Sequence, residues 1–210
     1  MKEKLYRLFL RVAHAVRLLS LWSWLYWVLF DRAYRKIPVK KHEDFKEAVE
    51  DICRLRWVND GLRELTDVIR HPGWVEVNRQ RVASGRSQLP GALDCDDFAL
   101  WLAASLQDFW NPLLLFVNFM ETREGKERRG GHAVALIRYG DEYYHLGNWG
   151  TWGPFPSITE VITSIANPVF DRRLVYWAIY DAKLQQRMRG DSLRDVESLR
   201  TMLNTHFSKR

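Results

Sequence analysis

The sequence predicts an α+β fold in which helices come first and a mainly antiparallel sheet follows. Helical periodicity runs over 43–57, where Phe45, Val49 and Ile52 recur on one face, and again over 95–109. Two apolar runs, "HAVALIRY" and "EYYHLGNW", flank Gly140–Asp141, which is hairpin turn chemistry. Further apolar runs at 111–119 and 173–181 read as buried strands.

At 210 residues the chain suffices for one cored domain with appendages. Its 47% apolar residues and ten Trp exclude a disordered chain. Charge divides it into three parts. Residues 1–41 carry ten Lys/Arg against two acids, a basic aromatic helix and linker. Residues 42–181, the core, carry fifteen against twenty-one, and residues 182–210, a polar basic helical tail, carry seven against three. The basic character belongs to the ends, so no nucleic-acid partner is expected, since that needs a basic stripe on the folded domain.

In the amino-terminal part, residues 18–30 ("LLSLWSWLYWVLF") are uncharged. Thirteen helical residues span about 20 Å, short of a hydrocarbon core of about 30 Å. Extension back to Val12 takes in His14 and Arg17, both costly at mid-bilayer. Lys2, Lys4, Arg7 and Arg11 imitate a leader, but "FDRAYRKIP" follows with no small-residue cleavage site. Residues 5–30 therefore read as an aromatic-rich helix on a membrane surface or a protein partner. Packing on its own domain and a single span are the alternatives. "KIPVKK" looks like a linker.

Along the core, 60–70 continues the helical pattern, "HPGW" (71–74) is a turn and 82–91 a loop. "ETREGKERRGG" (121–131) reads as a solvated charged loop, "GTWGPFP" as a rigid loop, and 157–166 as a short helix. Only Cys53 and Cys95 are present. Two cysteines make no disulfide framework or zinc site, which suits a cytoplasmic compartment. Cys53 reads as a core-side thiol of the 43–57 helix.

Cys95 is different. Asp94 is a good N-cap and Asp97 the acidic partner of a capping-box-like start. Cys95 then takes the first helical position, where free N–H groups and the dipole favour thiolate and can hold an oxyanion. Asp94, Asp96 and Asp97 oppose this by raising the thiol pKa, so a cation must come from elsewhere. His132, opening "HAVALI" after Gly130–Gly131, is the candidate base, with room beside its ring. A third group should orient the imidazole. Asp141 sits at the turn tip, about 23 Å away. A two-residue loop sets His145 opposite Leu136, about 13 Å from His132. A three-residue loop (140–142) sets Asn148 opposite Val134, on the face of His132 and roughly 7 Å away between backbones. The expected triad is Cys95, His132 and Asn148. A metal site from Asp94, Asp96, Asp97 and His132 is disfavoured because adjacent Asp residues on one turn point apart; no metal or cofactor is expected.

"LDCDDFALWLA" and "GGHAVALIRYGDEYYHLGN" resemble the cysteine helix and the histidine strand with hairpin return of the transglutaminase-like cysteine peptidase superfamily. The resemblance covers roughly residues 43–180. It implies a papain-like core, a cysteine helix packed on an antiparallel sheet, with a Cys–His–Asp/Asn triad. Family members usually carry Asp third; here Leu146 is followed by Gly147 and then Asn148, and Asn supplies no negative charge. Gln88 resembles papain's oxyanion glutamine in its position before the cysteine. Trp149 is placed to wall an apolar cleft.

The expected chemistry is hydrolysis or acyl transfer at amide bonds of a protein or peptide-like substrate. His132 deprotonates Cys95, the thiolate attacks the carbonyl, and the Cys95 N–H, helped by Gln88, holds the oxyanion. An NlpC-type peptidoglycan amidase with His145 as third residue is a neighbouring alternative. An alternative of another class is a catalytically silent fold used for binding and anchored by its amino terminus.

Overall fold

A computed structural model describes residues 32–58, 70–89, 93–123, 125–166, 172–193 and 196–208. The aromatic helix expected at the amino terminus lies outside them, as does the helix expected over 60–70 apart from Arg70.

After a single helical turn at Arg32–Tyr34, α1 spans Phe45–Cys53. Asp44 caps it, accepting from the Lys46 N–H at 2.7 Å, and Phe45, Ala48, Val49 and Ile52 form its buried stripe. Cys53, one residue past that stripe, is exposed, which corrects its expected core position. Its Sγ lies 3.9 Å from the Gly147 carbonyl oxygen and 3.8 Å from that of Asn148.

Helix α2, Pro72–Ala83, replaces the expected turn. His71 is its N-cap, with Nδ1 accepting from the Gly73 N–H at 3.1 Å, and Pro72 takes the first position, where no N–H is needed. No apolar stripe announces this helix because its buried residues include Glu76 and Asn78. The Glu76 carboxylate accepts from Trp101 Nε1 at 3.0 Å, Gln80 Nε2 at 3.0 Å and Arg79 Nη2 at 2.6 Å. Burial raises the Glu76 pKa, but these donors outweigh it and hold the group below its ordinary value. Arg79 also reaches Asp51, 3.2 Å away. Asp51 meets His42 Nε2 at 3.2 Å, and His42 Nδ1 lies 2.6 Å from Ser105 Oγ. One buried polar chain thus links α1 and α2 to α3, Cys95–Trp110.

Six antiparallel strands follow: β1 Leu113–Arg123, β2 Lys126–Tyr139, β3 Glu142–Gly147, β4 Gly150–Phe155, β5 Arg172–Tyr180 and β6 Gln186–Gly190. Their order is β4-β3-β2-β1-β5-β6. Helix α4, Ile158–Ile165, precedes β5, and α5, Val196–Phe207, follows β6. The chain is therefore α+β with an antiparallel sheet, as expected. The 121–131 stretch is strand for most of its length instead of loop, because Glu121 pairs with Arg128 across the ladder. "GTWGPF" is likewise a strand, paired to β3.

The sheet is covered on both faces. Helix α3, with α1, packs on Ala135, Ile137 and Leu146, and its amino-terminal half packs on Leu114 and Ala133. On the opposite face α4 and α5 pack against Leu113, Leu115, Val117, Phe119, Val134 and Leu136. Residues 182–210, expected as a polar tail, supply an edge strand and a helix whose Leu199 and Leu203 are fully buried. A polar helix with two inward leucines is enough to complete this core. Leu203→Ala should cost about 2–5 kcal/mol in urea unfolding, whereas a detached tail would lose within about 0.5 kcal/mol.

Candidate functional site

Cys95 occupies the first position of α3, as the sequence predicts, with Asp94 as N-cap. The Asp97 carboxylate accepts from the Asp94 N–H at 3.4 Å, the return half of a capping box. The thiol is half-buried and packs beside Ala99, Leu100, Ala103, Leu114 and Ala133. Asp97 is itself buried, and the Arg70 N–H donates to it at 2.7 Å. Burial and the charge of Asp94 push its carboxyl up to about 8. Carboxylate atoms of Asp94, Asp96 and Asp97 lie within 4.8 Å of one another, so the acids converge where the sequence reading has them point apart. They converge because Asp94 is extended N-cap backbone while its neighbours are helical. This trio is the group of described residues that could hold a cation; His132 is not part of it.

His132 lies across the sheet from Cys95. The β1–β2 pairing sets His132 directly opposite Val117, whose side chain faces α4 and α5. Directly paired residues of antiparallel strands share a face, and neighbours along a strand alternate. His132 therefore faces α4 and α5, while Ala133 faces Cys95 and α3. The expected Cys95–His132 pair is not brought together, because the pleat of β2 turns the imidazole the other way.

The loop after β2 decides the third position. Tyr139 pairs with Glu142 and Leu136 with His145, so Gly140–Asp141 is a two-residue turn. The three-residue loop that favoured Asn148 is corrected by one register step. Asn148 and Trp149 instead form the turn from β3 to β4, closed by the Gly147–Gly150 pair. Continued alternation from Leu146 puts Asn148 on the α3 side and Trp149 on the His132 side. The Trp149 ring stacks on His132 with centroids 4.1 Å apart and planes at 11°. Asn148 Oδ1 is buried with no hydrogen-bond partner among the described residues. As expected geometrically for a two-residue loop, His145 faces Leu136 and not Cys95, which also separates the NlpC-type triad.

A second aromatic stack adjoins the first. His145 pairs with Trp152 across β3–β4, its ring parallel to those of Trp152 and Phe155, and its Nε2 lies 3.2 Å from Ser164 Oγ on α4. Burial, with the charges of His145 and Arg172, lowers the His132 pKa to about 3, and burial lowers that of His145 to about 4. Both rings are neutral at physiological pH. His132 Nε2 would lie 3.7 Å from a Cβ on Gly147. The room left by the glycine pair is used elsewhere: a Cβ on Gly130 would meet the Phe119 ring at 2.5 Å, and one on Gly131 would meet Asn118 Oδ1 at 3.1 Å.

Gln88 is committed elsewhere. Its Oε1 accepts from the Arg56 N–H at 3.0 Å and its Nε2 donates to the Arg56 carbonyl at 3.1 Å. Both ends of the amide clamp backbone, which replaces the expected oxyanion role with a loop tie. Neither Arg70 as the partner of Asp97 nor the Glu76–Arg79–Asp51–His42 chain is legible in local pattern, since such contacts follow no local period.

Three groups predict an acid–base signature. The unfolded imidazoles of His132 and His145 bind protons below about pH 6.5, but the folded ones do not. Their contribution to stability is therefore full above about pH 6.5 and lost as pH falls towards 4. Asp97 has the opposite sign: the folded carboxyl keeps its proton up to about 8, so stability declines as pH rises from about 6.5 towards 8. Urea unfolding across this range should show a maximum near pH 6.5, and Asp97→Asn should flatten its alkaline side.

Among the described residues no helix is long and apolar enough to cross a membrane. Comparison of the chain with protein-family models and with curated proteins gives no match.

Proposed function

We propose that the chain is a catalytically silent protein of transglutaminase-like build, a binding module held in place by its amino-terminal segment. The observation that carries this reading is the sheet between Cys95 and His132. A general base must come within hydrogen-bond reach of the proton it takes, and His132 points away from the thiol. Its ring is also buried, neutral and covered by Trp149.

The papain-like core belongs to the same proposal. A helix that begins at a cysteine lies along the strand carrying the histidine and along its hairpin partner, which is the arrangement the resemblance implies. Such a scaffold keeps its packing after the catalytic geometry has gone, since fold does not fix function. The anchor is residues 5–30, and the compartment is cytoplasmic: Cys53 and Cys95 are both thiols, as a reducing environment requires.

A second reading draws on Cys95 alone: hydrolysis or acyl transfer at amide bonds of a protein or peptide. The positive end of α3 favours the thiolate and its N–H groups suit an oxyanion. An Asp97 that is uncharged at neutral pH opposes the thiolate less than the sequence suggests.

The two readings separate in the iodoacetamide alkylation of Cys95 against pH, in a Cys53→Ser background with and without His132→Gln. A silent module gives a profile centred near about pH 8.5 that the His132 substitution leaves in place. A thiolate plateau reaching below pH 7 and lost with His132→Gln would overturn the proposal.

A further inference from the structure

Among the described residues three histidines are buried: His42, His132 and His145. His132 rests under Trp149, and His145 meets one hydroxyl, that of Ser164. His42 differs from both in having an oxygen within hydrogen-bond distance of each ring nitrogen. It closes an irregular strap, residues 38–42, that leads into α1. The strap is tied along α3 at three successive residues. The Lys40 carbonyl accepts from Ser105 Oγ at 2.8 Å, Lys41 Nζ donates to the Ala104 carbonyl at 2.9 Å, and the His42 N–H donates to the Ser105 carbonyl at 3.2 Å.

The donors and acceptors of this cluster fix where its hydrogens lie. Burial raises the Asp51 pKa, but Lys40, His42 and Arg79 outweigh it and hold the group below its ordinary value, as an acceptor-only carboxylate. Nε2 of His42, 3.2 Å from Asp51 Oδ2, must therefore carry hydrogen to make its bond. Ser105 has one hydroxyl hydrogen, and the Lys40 carbonyl takes it. Nδ1, 2.6 Å from the same hydroxyl oxygen, must then carry hydrogen as well. A ring with a single hydrogen cannot fill all three contacts. With that hydrogen on Nε2, the serine serves either Nδ1 or the Lys40 carbonyl. With it on Nδ1, a bare Nε2 faces a carboxylate. Either way two acceptors confront each other in a buried site, which costs as much as an unmade bond.

We infer that His42 is a pH-operated clasp on the strap, closed when both ring nitrogens hold hydrogen and loosened when one of these protons leaves to water. The charged groups around the ring are Lys40 and Lys41 of the strap, Asp51 and Arg54 of α1, Glu76 and Arg79 of α2 and Asp108 of α3. Arg79 is bonded to Glu76 at 2.6 Å and Lys41 to Asp108 at 3.3 Å, while Lys40 and Arg54 are exposed to water. That leaves Asp51 as the charge in direct contact with the imidazole. Acid tightens the strap and alkali loosens it. The loosening stays local, because Trp110 Nε1 donates to the Glu43 carbonyl at 2.6 Å and holds the chain just beyond. The clasp goes beyond the silent-module reading and does not depend on it.

The test is nuclear magnetic resonance on the isotope-labelled full chain between about pH 5 and about pH 9, which brackets ordinary imidazole ionisation. Ring-nitrogen signals count the hydrogens on His42. Amide exchange, corrected for its intrinsic pH dependence, reads the bond from the His42 N–H to the Ser105 carbonyl. At about pH 5 His42 should hold two ring hydrogens while His132 and His145 hold one each. As His42 loses one, protection of its own amide should fall about tenfold, the loss of roughly one hydrogen bond, and the amides of Leu102 and Leu106 inside α3 should not follow. Ser105→Ala keeps the backbone carbonyl and should hold that protection low across the range, with a thermal melt to establish folding. A His42 ring with one hydrogen at about pH 5 would overturn the clasp, as would protection that stays constant while the ring changes. A wild-type response in folded Ser105→Ala would overturn it too. None of these signals involves Cys95, so the thiol profile judges the silent-module reading separately.

Discussion

The two-residue turn at Gly140–Asp141 governs what the rest of the sheet can do. Gly140 supplies a φ of 61° that other residues adopt only at a cost. With two residues in the loop, every position of β3 is assigned a partner on β2, and a slip of one residue would exchange the faces of the whole strand. The register sends Leu146 to α1 and α3, His145 to α4, and Trp149 over His132. The stacking of Trp149 on His132 and of Trp152 beside His145 depends on that one loop length.

Much of the architecture was legible from local pattern. The start of α3 followed from Asp94 and Asp97, the β2–β3 hairpin from two apolar runs around Gly–Asp, and α4 from its own periodicity. What escaped had its cause in tertiary contacts. Helix α2 turns Glu76 and Asn78 inward, where they are satisfied by Trp101, Gln80 and the Leu89 N–H; a pattern rule that equates inward with apolar passes over such a helix. The β1–β2 extension looks like solvated loop because its stabilising pairs are charges across a ladder.

The candidate site shows the same division more sharply. The residue types at Cys95, His132 and Asn148 were readable, and so was the helix position of the thiol. Their mutual geometry depended on two binary choices, the loop length and the face of β2, and each is invisible to composition. The face was set by β1, through Val117 and its neighbours, and not by anything near His132 in sequence. Gly130 and Gly131 illustrate the point: their missing side chains make way for Phe119 and Asn118 on the neighbouring strand.

Helix α5 is made after every strand of the sheet, yet Leu199 and Leu203 seal the face that holds Val117, Val134 and Leu136. During synthesis that face is covered only in part, by α4, for as long as α5 is still in the ribosome. The opposite face is different, because α1, α2 and α3 precede the strands and are waiting for them. A nascent chain would therefore be one-sided, with a greasy surface on the α5 side for chaperones to hold or for another chain to capture. Arrest during translation just short of α5 is the point at which aggregation of this protein should begin.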